Sequence, residues 1–285
     1  MNVDAPLYGI ERPAGPAWLV YDSPHSGRLY PPGFHSVAPP QQLRWAEDAY
    51  VDQLLQPCVA HGAVLLHALL PRSYIDLNRA VSDIDELLLS EPWPTALQPT
   101  EKTARGLGLV RRFVVPGVPI YAEHSLSVAE VQRRIREVYE PYHAALDALV
   151  AEALAAHGRV WHVNWHSMKS VGNAMTPDGA GAARADFVVS DRDGYSAGAA
   201  LTSLVVDTLR GFGYRVSINT PYKGGHLVQR LGRPADGVHS VQVEINRALY
   251  LDEALVEPTS GFAPLQDCLS RLTATLAAAA PRHAR

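Results

Sequence analysis

The chain has 285 residues, 47% of them hydrophobic, and its 25 lysines and arginines against 29 aspartates and glutamates give a formal net charge of −4. This length and apolar content allow a large buried core, and we expect one domain over residues 1–285. No block of like charge is long enough to form a nucleic-acid or membrane surface, so the expected partner is a small molecule.

The cysteines and the N-terminal segment argue against further classes of protein. Cys58 and Cys268 are the only cysteines, and they stand far apart and outside any C-x-x-C pattern, which argues against a disulfide scaffold and against zinc held by cysteine. Residues 1–10 contain neither a basic region nor an apolar one, and no window approaches 18 uninterrupted apolar residues. We therefore expect a cytoplasmic protein without a membrane anchor.

The first predicted strand, residues 17–21, leads directly to a histidine. Pro16 and Pro24 bound this apolar run, and His25 and Gly27 follow it. A glycine at this position would let the backbone come close to whatever His25 touches. The competing interpretation is a Ser-Pro turn that leaves the imidazole exposed to solvent.

A helix is predicted from Ala46 to about Val59, because apolar residues recur there at a spacing of three to four. Within it, Asp48 and Asp52 stand four residues apart and would share one helix face, where they could ligate a cation or orient a histidine. Acidic residues in a first helical turn also favour the helix dipole, so either aspartate could serve the helix alone.

Two stretches of the next part of the chain carry arginines. A buried strand is predicted at residues 63–68, and residues 72–79, Arg-Ser-Tyr-Ile-Asp-Leu-Asn-Arg, follow it. Guanidinium groups match carboxylates in bidentate geometry, so this segment could recognise an anionic substrate, whereas an internal Asp76–Arg79 pair could simply fix the turn. Residues 81–123 predict a loop-and-hairpin excursion in which Arg112 either reaches the site or is solvated.

The central part of the chain predicts a helix, a strand and a loop in succession. Helical spacing begins at Ser127, which forms a capping box with Glu130, and Pro141 predicts a kink. Residues 160–168 then predict a strand that carries His166 to its C-terminal end. Ligands of open α/β sheets bind beyond such strand ends, so His166 is a candidate metal ligand. The Gly- and Ala-rich residues 170–184 predict a mobile loop that could act as a lid.

The remaining pattern alternates strands with helices. Strands are predicted at residues 185–190, 214–219 and 238–247, with a helix at 197–209 and a C-terminal helix from Phe262. Lys223 precedes two glycines, which could cradle an anion or form a simple turn with a solvated lysine. The strand at 238–247 alternates with period two and places Glu244 near its end. This order of elements predicts a three-layer α/β fold.

The polar residues at the predicted strand ends are of the types that a hydrolytic metal site contains. Two histidines, a carboxylate near a third strand end and an arginine-rich segment are what a hydrolytic zinc site for an anionic substrate requires. Such a site needs three protein ligands, one open position for water, and a carboxylate outside the coordination sphere that takes the proton of that water.

Seven motifs follow one another in order over roughly residues 20–253. They are Ser23-Pro-His-Ser-Gly27, the Asp48 and Asp52 pair, Ile75-Asp-Leu-Asn-Arg79, Pro141-Tyr-His143, His166-Ser-Met168, Asn219-x-Pro-Tyr-Lys-Gly-Gly225 and Val243-Glu-Ile-Asn-Arg247. Together these motifs resemble the N-formylglutamate amidohydrolase family. The Asp-Leu-Asn-Arg segment is also similar to that of aspartoacylase and zinc carboxypeptidase relatives.

This resemblance implies both a fold and an activity. The fold would be a phosphorylase/hydrolase-like, zinc-exopeptidase-like α/β sandwich of three layers, with a mixed central β-sheet flanked by helices. The activity would be zinc-type hydrolysis of N-formyl-L-glutamate to formate and L-glutamate, a step of bacterial histidine degradation. Zinc is the expected metal, and Co, Mn and Ni suit the same ligand types.

The resemblance also implies roles for individual residues. His25 and His166 would ligate the metal, Glu244 would be the general base, and Arg72 would polarise the scissile carbonyl. Asn78 and Arg79 would hold one substrate carboxylate, and Lys223 or Arg112 the other. His143 would be structural or would support the site from behind.

The third metal ligand is open at this point. The carboxypeptidase-like relatives place a glutamate three residues after their first histidine, where this chain has Arg28. Asp48 is the first candidate in its place, followed by Asp52 and then Asp22.

Two other functions also fit the sequence. The chain could be another deacylase or carboxypeptidase of the same superfamily that acts on a different N-acyl amino acid. It could also be a non-catalytic protein that binds an anionic metabolite. Serine hydrolysis fits less well, because Ser26 and Ser167 do not lie in a G-x-S-x-G elbow.

Overall fold

A computed structural model describes residues 6–279 of the chain. Residues 1–5 and 280–285 lie outside the described residues, and with them the first half of the segment 1–10 and both ends of the expected 1–285 domain. The strands are β1 (Tyr8–Glu11), β2 (Leu19–Ser23), β3 (Ala63–Ala68), β4 (Val160–Met168), β5 (Phe187–Ser190), β6 (Val216–Ile218), β7 (Val238–Asn246), β8 (Leu251–Asp252) and β9 (Glu257–Pro258).

Eight α-helices connect or flank these strands within the described range. Short 3₁₀ helices supplement them, for example at Gln56–His61 and Arg247–Leu249. The α-helices are α1 (Pro40–Leu43), α2 (Val51–Leu55), α3 (Glu101–Ala104), α4 (Val128–Arg134), α5 (Glu140–His157), α6 (Ala199–Gly211), α7 (His226–Leu231) and α8 (Phe262–Ala278).

Seven strands form one mixed sheet in the order β1-β3-β2-β4-β7-β5-β6. The central pairs β3–β2, β2–β4 and β4–β7 are parallel, and β1 and β5 each run antiparallel to an inner neighbour. Helices cover both faces: α2, α6 and α8 pack in one apolar cluster, and α4, α5 and α7 pack in the other. The α/β sandwich with a mixed central sheet, predicted from the sequence, is confirmed.

The two longest strands, β4 and β7, each have one apolar and one polar face. On the apolar face, Trp161, Val163 and Trp165 of β4 pack with Val241, Val243 and Ile245 of β7. On the other face, register pairs His162 with Ser240, Asn164 with Gln242 and His166 with Glu244. Because successive side chains of a strand point to opposite faces, this alternation places all six polar groups in one layer, on the side of α5 and α7.

The helix predicted from Ala46 begins later in the structure. Arg44–Ala46 form a 3₁₀ turn and α2 starts only at Val51, after Tyr50 in a left-handed conformation with φ 63°. Asp48 therefore lies in a turn before the helix, and the prediction that Asp48 and Asp52 share one helix face is wrong. The left-handed residue redirects the chain between them.

The predicted kink in the long helix takes the form of a π-helical turn. Ile135–Tyr139 form this turn between α4 and α5, directly before Pro141, which cannot donate the backbone hydrogen bond that a regular α-helix needs at its position. Ser127 caps the start of α4, with its side chain accepting a hydrogen bond from the backbone N–H of Glu130. None of the helices within residues 6–279 combines the length and apolar character needed to cross a lipid bilayer.

His143 lies in α5 beneath the segment that carries the predicted substrate residues. Its Nε2 is 2.9 Å from the carbonyl oxygen of Leu77, and its ring stacks on Tyr139 with centroids 3.9 Å apart. Burial, together with the charge of Arg230, lowers the pKa of His143 to about 3. Of the two roles predicted for His143, these contacts favour the structural one.

We expect His143 to contribute to the loss of stability in acid. The folded protein keeps this imidazole neutral, whereas the unfolded chain protonates it near pH 6.5, so its stabilisation is present above pH 6.5 and is lost as the pH falls toward 3. In urea titrations, the free energy of unfolding of the wild type should fall between pH 6.5 and 4 more steeply than that of His143→Phe, by up to about 1.4 kcal/mol per pH unit. Equal slopes would contradict this assignment.

Candidate metal centre and substrate cavity

Three chemically active side chains meet at the carboxyl ends of the parallel strands. His25 follows β2, His166 lies near the end of β4, and Glu244 pairs with His166 from β7. His25 and His166 are both buried, with ring centroids 4.7 Å apart. Because the carboxyl ends of parallel strands lie at one edge of a sheet, strands distant in sequence bring these groups together.

The ring of His25 is oriented by Asp76. Its Nε2 is 2.7 Å from Asp76 Oδ1, and the Arg72 guanidinium donates to Asp76 Oδ2 at 2.8 Å. Burial opposes ionisation of Asp76, but the charge of Arg72 and the hydrogen bond with His25 hold the pKa of that carboxyl well below its usual range. An ionised Asp76 accepts the proton of Nε2, so Nδ1 of His25 is the lone-pair nitrogen, and it has no hydrogen-bond partner.

His166 is oriented in the same way by an amide. Asn164 Nδ2 donates to the buried Asp22 carboxylate at 2.8 Å, which leaves Asn164 Oδ1 to accept from His166 Nε2 at 2.7 Å. Asp22 also accepts from His162 at 2.8 Å and from Tyr142 at 3.1 Å. The Asn164 oxygen that faces Nε2 favours a proton on that nitrogen, and Nδ1 of His166 faces Asp48.

Asp48 faces both imidazoles with one oxygen and an arginine with the other. Its Oδ2 is 2.9 Å from His166 Nδ1 and 3.4 Å from His25 Nδ1, while Oδ1 accepts from Arg247 at 3.1 Å. Burial opposes ionisation, but the interactions with the imidazoles of His166 and His25 and the charge of Arg72 keep the pKa of Asp48 well below its usual range. The contact with Asp48 in turn raises the pKa of His166 against the effect of burial.

These three residues fit a divalent metal ion. Two imidazole lone pairs and one carboxylate oxygen converge, all within 4.8 Å of one another, and the buried Nδ1 of His25 has no donor facing it. A cation at their centre would satisfy all three atoms, and Asp76 and Asn164 provide the outer hydrogen bonds typical of histidine ligands. The group formed by His25, Asp48 and His166 could therefore hold a metal.

The other two candidates for the carboxylate ligand lie elsewhere. Asp52 is close to Arg28, with 3.7 Å between Oδ2 and Nη2, and Asp22 is committed to the hydrogen-bond network behind His166. Arg28, which stands where carboxypeptidase-like relatives have a glutamate, is 41% exposed and belongs to this outer pair. The geometry thus brings only Asp48 of the three aspartates to the histidines.

Glu244 is held by a chain of hydrogen bonds that starts at a glycine. The backbone N–H of Gly225 donates to Gln242 Oε1 at 2.7 Å, so Gln242 Nε2 is free to donate to Glu244 Oε1 at 2.8 Å. A side chain at Gly225 could not be accommodated, because its Cβ would lie 2.5 Å from Asn78 Nδ2. One carboxylate oxygen of Glu244 is therefore positioned by the protein.

A cavity of about 340 Å³ opens above this group. Glu244 and Asp48 are the two carboxylates in its wall, against nine cationic side chains, in a protein whose overall charge is −4. The excess of positive charge suits an anionic ligand. The cationic residues are Arg72, Arg79, Lys102, Arg105, Arg111, Lys169, Arg184, Lys223 and Arg247.

The loop predicted as a lid forms part of the cavity wall. Asn173, Met175 and Thr176 line the cavity from this segment. An antiparallel bridge between Val171 and Ala183 closes the loop at its base, and the ion pair between Arg184 and Asp178 spans it at 2.8 Å. Movement of the loop remains a prediction.

The predicted substrate residues differ in how free they are to bind a ligand. Arg79 lines the cavity, and its buried Nε has no partner. Asn78 also lines it, but its amide already donates toward Asn164 Oδ1 at 3.2 Å and accepts from the N–H of Leu227 at 2.8 Å. Lys223 lies in the wall, 65% exposed and paired with Asp193.

Arg112 does not line the cavity. Its guanidinium donates to Asp85 at 2.9 Å and fastens the surrounding loop, whereas its neighbour Arg111 turns into the cavity. Consecutive residues of an extended segment point to opposite sides, so of these two neighbouring arginines only Arg111 lines the cavity. Arg112 is therefore not in place to hold the second substrate carboxylate.

Sequence reasoning missed several residues that the structure places at the site. Asp76 was considered only as a partner of Arg79, yet it contacts His25 and Arg72. The signal for Asn164 was present, since His162, Asn164 and His166 alternate with apolar residues in β4. No sequence signal marked Lys102 and Arg111, because their position depends on how the 81–123 excursion folds back over the sheet.

A three-layer α/β fold with a metal-competent His–Asp–His group, a carboxylate on the next strand and a cationic cavity is typical of metal-dependent hydrolases. Comparison with known proteins identifies the family. The family model described as N-formylglutamate amidohydrolase matches residues 17–251, and the chain belongs to that family.

Individual relatives agree with this assignment. The chain is 44% identical to the N-formylglutamate amidohydrolase of Ralstonia eutropha JMP134, whose crystal structure matches with a TM-score of 0.89 over 96% of this chain and 98% of that one. It is 28% identical over 238 residues, 82% of each protein, to the N-formylglutamate deformylase of Pseudomonas aeruginosa. A gene product of Agrobacterium tumefaciens, 19% identical, shares the fold with a TM-score of 0.69 over 98% of both chains.

Substitution of the two aspartates should show which one holds the metal. We expect the wild type to bind one equivalent of Co²⁺ or Zn²⁺, and Asp48→Asn to bind it at least about 10-fold more weakly. Asp52→Asn is the matched control and should bind like the wild type, because Asp52 faces Arg28. Metal titration followed by absorbance, together with the metal-induced rise in Tm, gives the readout. Weak binding by Asp52→Asn, or undiminished binding by Asp48→Asn, would contradict the assignment.

Proposed function

We propose that the protein hydrolyses the formyl C–N bond of N-formyl-L-glutamate and releases formate and L-glutamate. The observation that carries this proposal is the pairing of His166 with Glu244 on neighbouring strands, next to a metal-competent group and beneath a cationic cavity. Family membership and the relatives named N-formylglutamate amidohydrolase or deformylase support it.

His25 Nδ1, His166 Nδ1 and one oxygen of Asp48 would hold the metal, which we propose to be zinc, with Co, Mn and Ni compatible with the same donors. When bound, the ion lowers the pKa of water and polarises a carbonyl oxygen. Asp76 and Asn164 keep both imidazoles in the ligand-forming tautomer. Burial and the charge of Arg72 lower the pKa of His25, which favours its neutral, metal-binding form.

Glu244 is the proposed proton carrier. It accepts a proton from the attacking water while the water oxygen bonds to the formyl carbon, and it delivers that proton to the amide nitrogen as the C–N bond breaks. The water oxygen leaves in formate, and the nitrogen leaves as the amine of glutamate. Gln242 holds one oxygen of Glu244 and leaves the other free for this transfer.

Two arginines of the 72–79 segment are proposed to hold the substrate. Arg72 lines the cavity with its Nη1 3.7 Å from Asp48 Oδ1, where it can donate to the carbonyl oxygen as negative charge develops. Arg79 has unpaired donors for the α-carboxylate, next to Asn78, whose Nδ2 is 3.0 Å from His166 Nε2. This carboxylate lies close to the scissile amide in the substrate, so the residues that bind it should lie near the metal ligands, as Asn78 does beside His166.

Replacement of the proposed base should separate catalysis from metal binding. We expect Glu244→Gln to lower kcat by about 10²- to 10⁴-fold, because the amide cannot accept the proton, while the metal content stays at the wild-type level. Glu257→Gln, which removes an exposed carboxylate on β9, is the matched control and should retain wild-type kcat.

Amine release from N-formyl-L-glutamate and metal content are measured on the same samples. A Glu244→Gln protein that keeps its kcat, or that loses its metal, would rule out the proposed role. If the metal-loaded wild type releases no amine from any N-formyl amino acid, the proposed activity itself is wrong, and N-acetyl amino acids and peptides become the substrates to examine.

A further inference from the structure

Arg111 is a buried cation without a counter-ion in the protein. Its side chain is 8% exposed, Nη2 donates to the carbonyl oxygen of Val114 at 3.3 Å, and Nε has no partner. Within residues 6–279 it forms no ion pair. Removing an unpaired charge from water costs free energy that the folded protein must recover elsewhere.

Other buried arginines of this protein do have acidic partners. Arg134 pairs with Glu130 at 2.8 Å, and Arg184 pairs with Asp178 at the same distance. At the floor of the cavity, Arg247 pairs with Asp48 at 3.1 Å. Arg111 is an exception to this pattern, and it lines the cavity in which an anion would complete its hydrogen bonds.

Lys102 lies in the same cavity wall and, like Arg111, has no acidic partner among the described residues. Its half-buried side chain forms neither a hydrogen bond nor an ion pair with another described residue. The two residues belong to one compact segment, α3 and the turn that follows it to Arg111, which we call the hairpin. Within it, the N–H of Leu107 donates to the carbonyl oxygen of Lys102 at 2.8 Å and Leu107 forms a bridge with Arg111. Two unpaired cations are thus presented by one structural unit.

This hairpin is attached firmly to the rest of the site. The backbone N–H of Asp76 donates to the carbonyl oxygen of Leu109 at 2.7 Å, and Asp83 accepts from the N–H of Thr100 at 2.9 Å at the start of α3. Outside the cavity, Arg112 is bonded to Asp85. The positions of Lys102 and Arg111 are therefore set by the folded structure before any ligand arrives.

We propose that Lys102 and Arg111 form a subsite for the side-chain carboxylate of the substrate and select dicarboxylic N-acyl amino acids over those with neutral side chains. The inference rests on the proposed function. Arg79 serves the carboxylate next to the scissile amide, so the more distant carboxylate requires cations from another element, which this hairpin supplies. A guanidinium and an ammonium group together offer enough donors to hold both carboxylate oxygens.

The electrostatics of the hairpin agree with this assignment. Burial and the charge of Arg72 lower the pKa of Arg111 to about 9, and burial and the charge of Arg79 lower that of Lys102 to about 7. Both groups are thus held in an environment that disfavours their charge, and a bound carboxylate would relieve this.

Kinetics with an isosteric pair of substrates tests the subsite. We expect Lys102→Met and Arg111→Met to lower kcat/KM for N-formyl-L-glutamate by about 10- to 100-fold, mainly through KM, and to leave kcat/KM for N-formyl-L-glutamine nearly unchanged. Arg111→Lys should recover part of the loss. Arg233→Met, which removes an exposed charge outside the cavity, should behave like the wild type. An unchanged ratio between the two substrates in the variants would overturn the proposal.

Calorimetry separates failure of the subsite from failure of the proposed function. Metal-loaded wild type should bind glutarate more tightly than its monoamide, and Lys102→Met should remove this preference while its thermal unfolding stays close to that of the wild type. If the wild type hydrolyses no N-formyl amino acid but prefers glutarate, and Lys102→Met loses this preference, the subsite stands and the proposed function falls. If hydrolysis is observed and the preference survives in both variants, the subsite falls and the function stands.

The pH dependence of glutarate binding gives a separate prediction. The charged groups acting on Lys102 are Arg79 and Arg72, which lower its pKa, and Asp76 and Glu244, which raise it. Since free Lys102 loses its proton above about pH 7, the Kd of glutarate should rise between pH 7 and 8, by up to about 10-fold, while Arg111, with a pKa of about 9, keeps most of its charge. Lys102→Arg should show a much smaller rise over this interval because a guanidinium holds its proton more strongly than an ammonium group. Equal rises in both proteins would show that another group controls binding.

Discussion

The structure depends on a buried layer of polar side chains between β4 and β7 on one side and α5 on the other. Asp22 is fully buried at its centre and is stabilised by donors from His162, Asn164 and Tyr142. Burial opposes ionisation, but the hydrogen bonds from His162 and Asn164 keep the pKa of Asp22 below its usual range. A buried charge is tolerated only when such partners surround it, so Asp22 dictates the orientation of its neighbours.

This constraint is transmitted to the candidate metal centre through amide groups whose two ends are chemically different. Because Asn164 gives its nitrogen to Asp22, it can offer only its oxygen to His166. Gln242 accepts from Gly225, so it can offer only its nitrogen to Glu244. Each amide fixes the orientation of the next side chain, and the two groups central to the proposed chemistry are therefore positioned by hydrogen bonds from the interior.

The arginines named around the cavity are of two kinds, those with an acidic partner in the protein and those without one. Arg72 and Arg247 have acidic partners and stabilise the carboxylates that orient or complete the histidine pair. Arg79 and Arg111 have buried nitrogen atoms without partners and line the cavity. Paired arginines complete the structure, whereas unpaired ones leave donors for a ligand, which explains how an acidic protein can present a strongly cationic site.

The sequence by itself determined the α/β architecture and the three strand-end groups His25, His166 and Glu244. Strand periodicity and the position of a residue relative to a strand end are local properties, and motifs of the family mark the same residues. Only the tertiary structure decided that Asp48 rather than Asp52 joins the histidines, because the left-handed Tyr50 separates them. It also decided that Arg111 rather than Arg112 enters the cavity, since which side of a hairpin faces inward depends on contacts with distant segments such as Asp76 and Asp85.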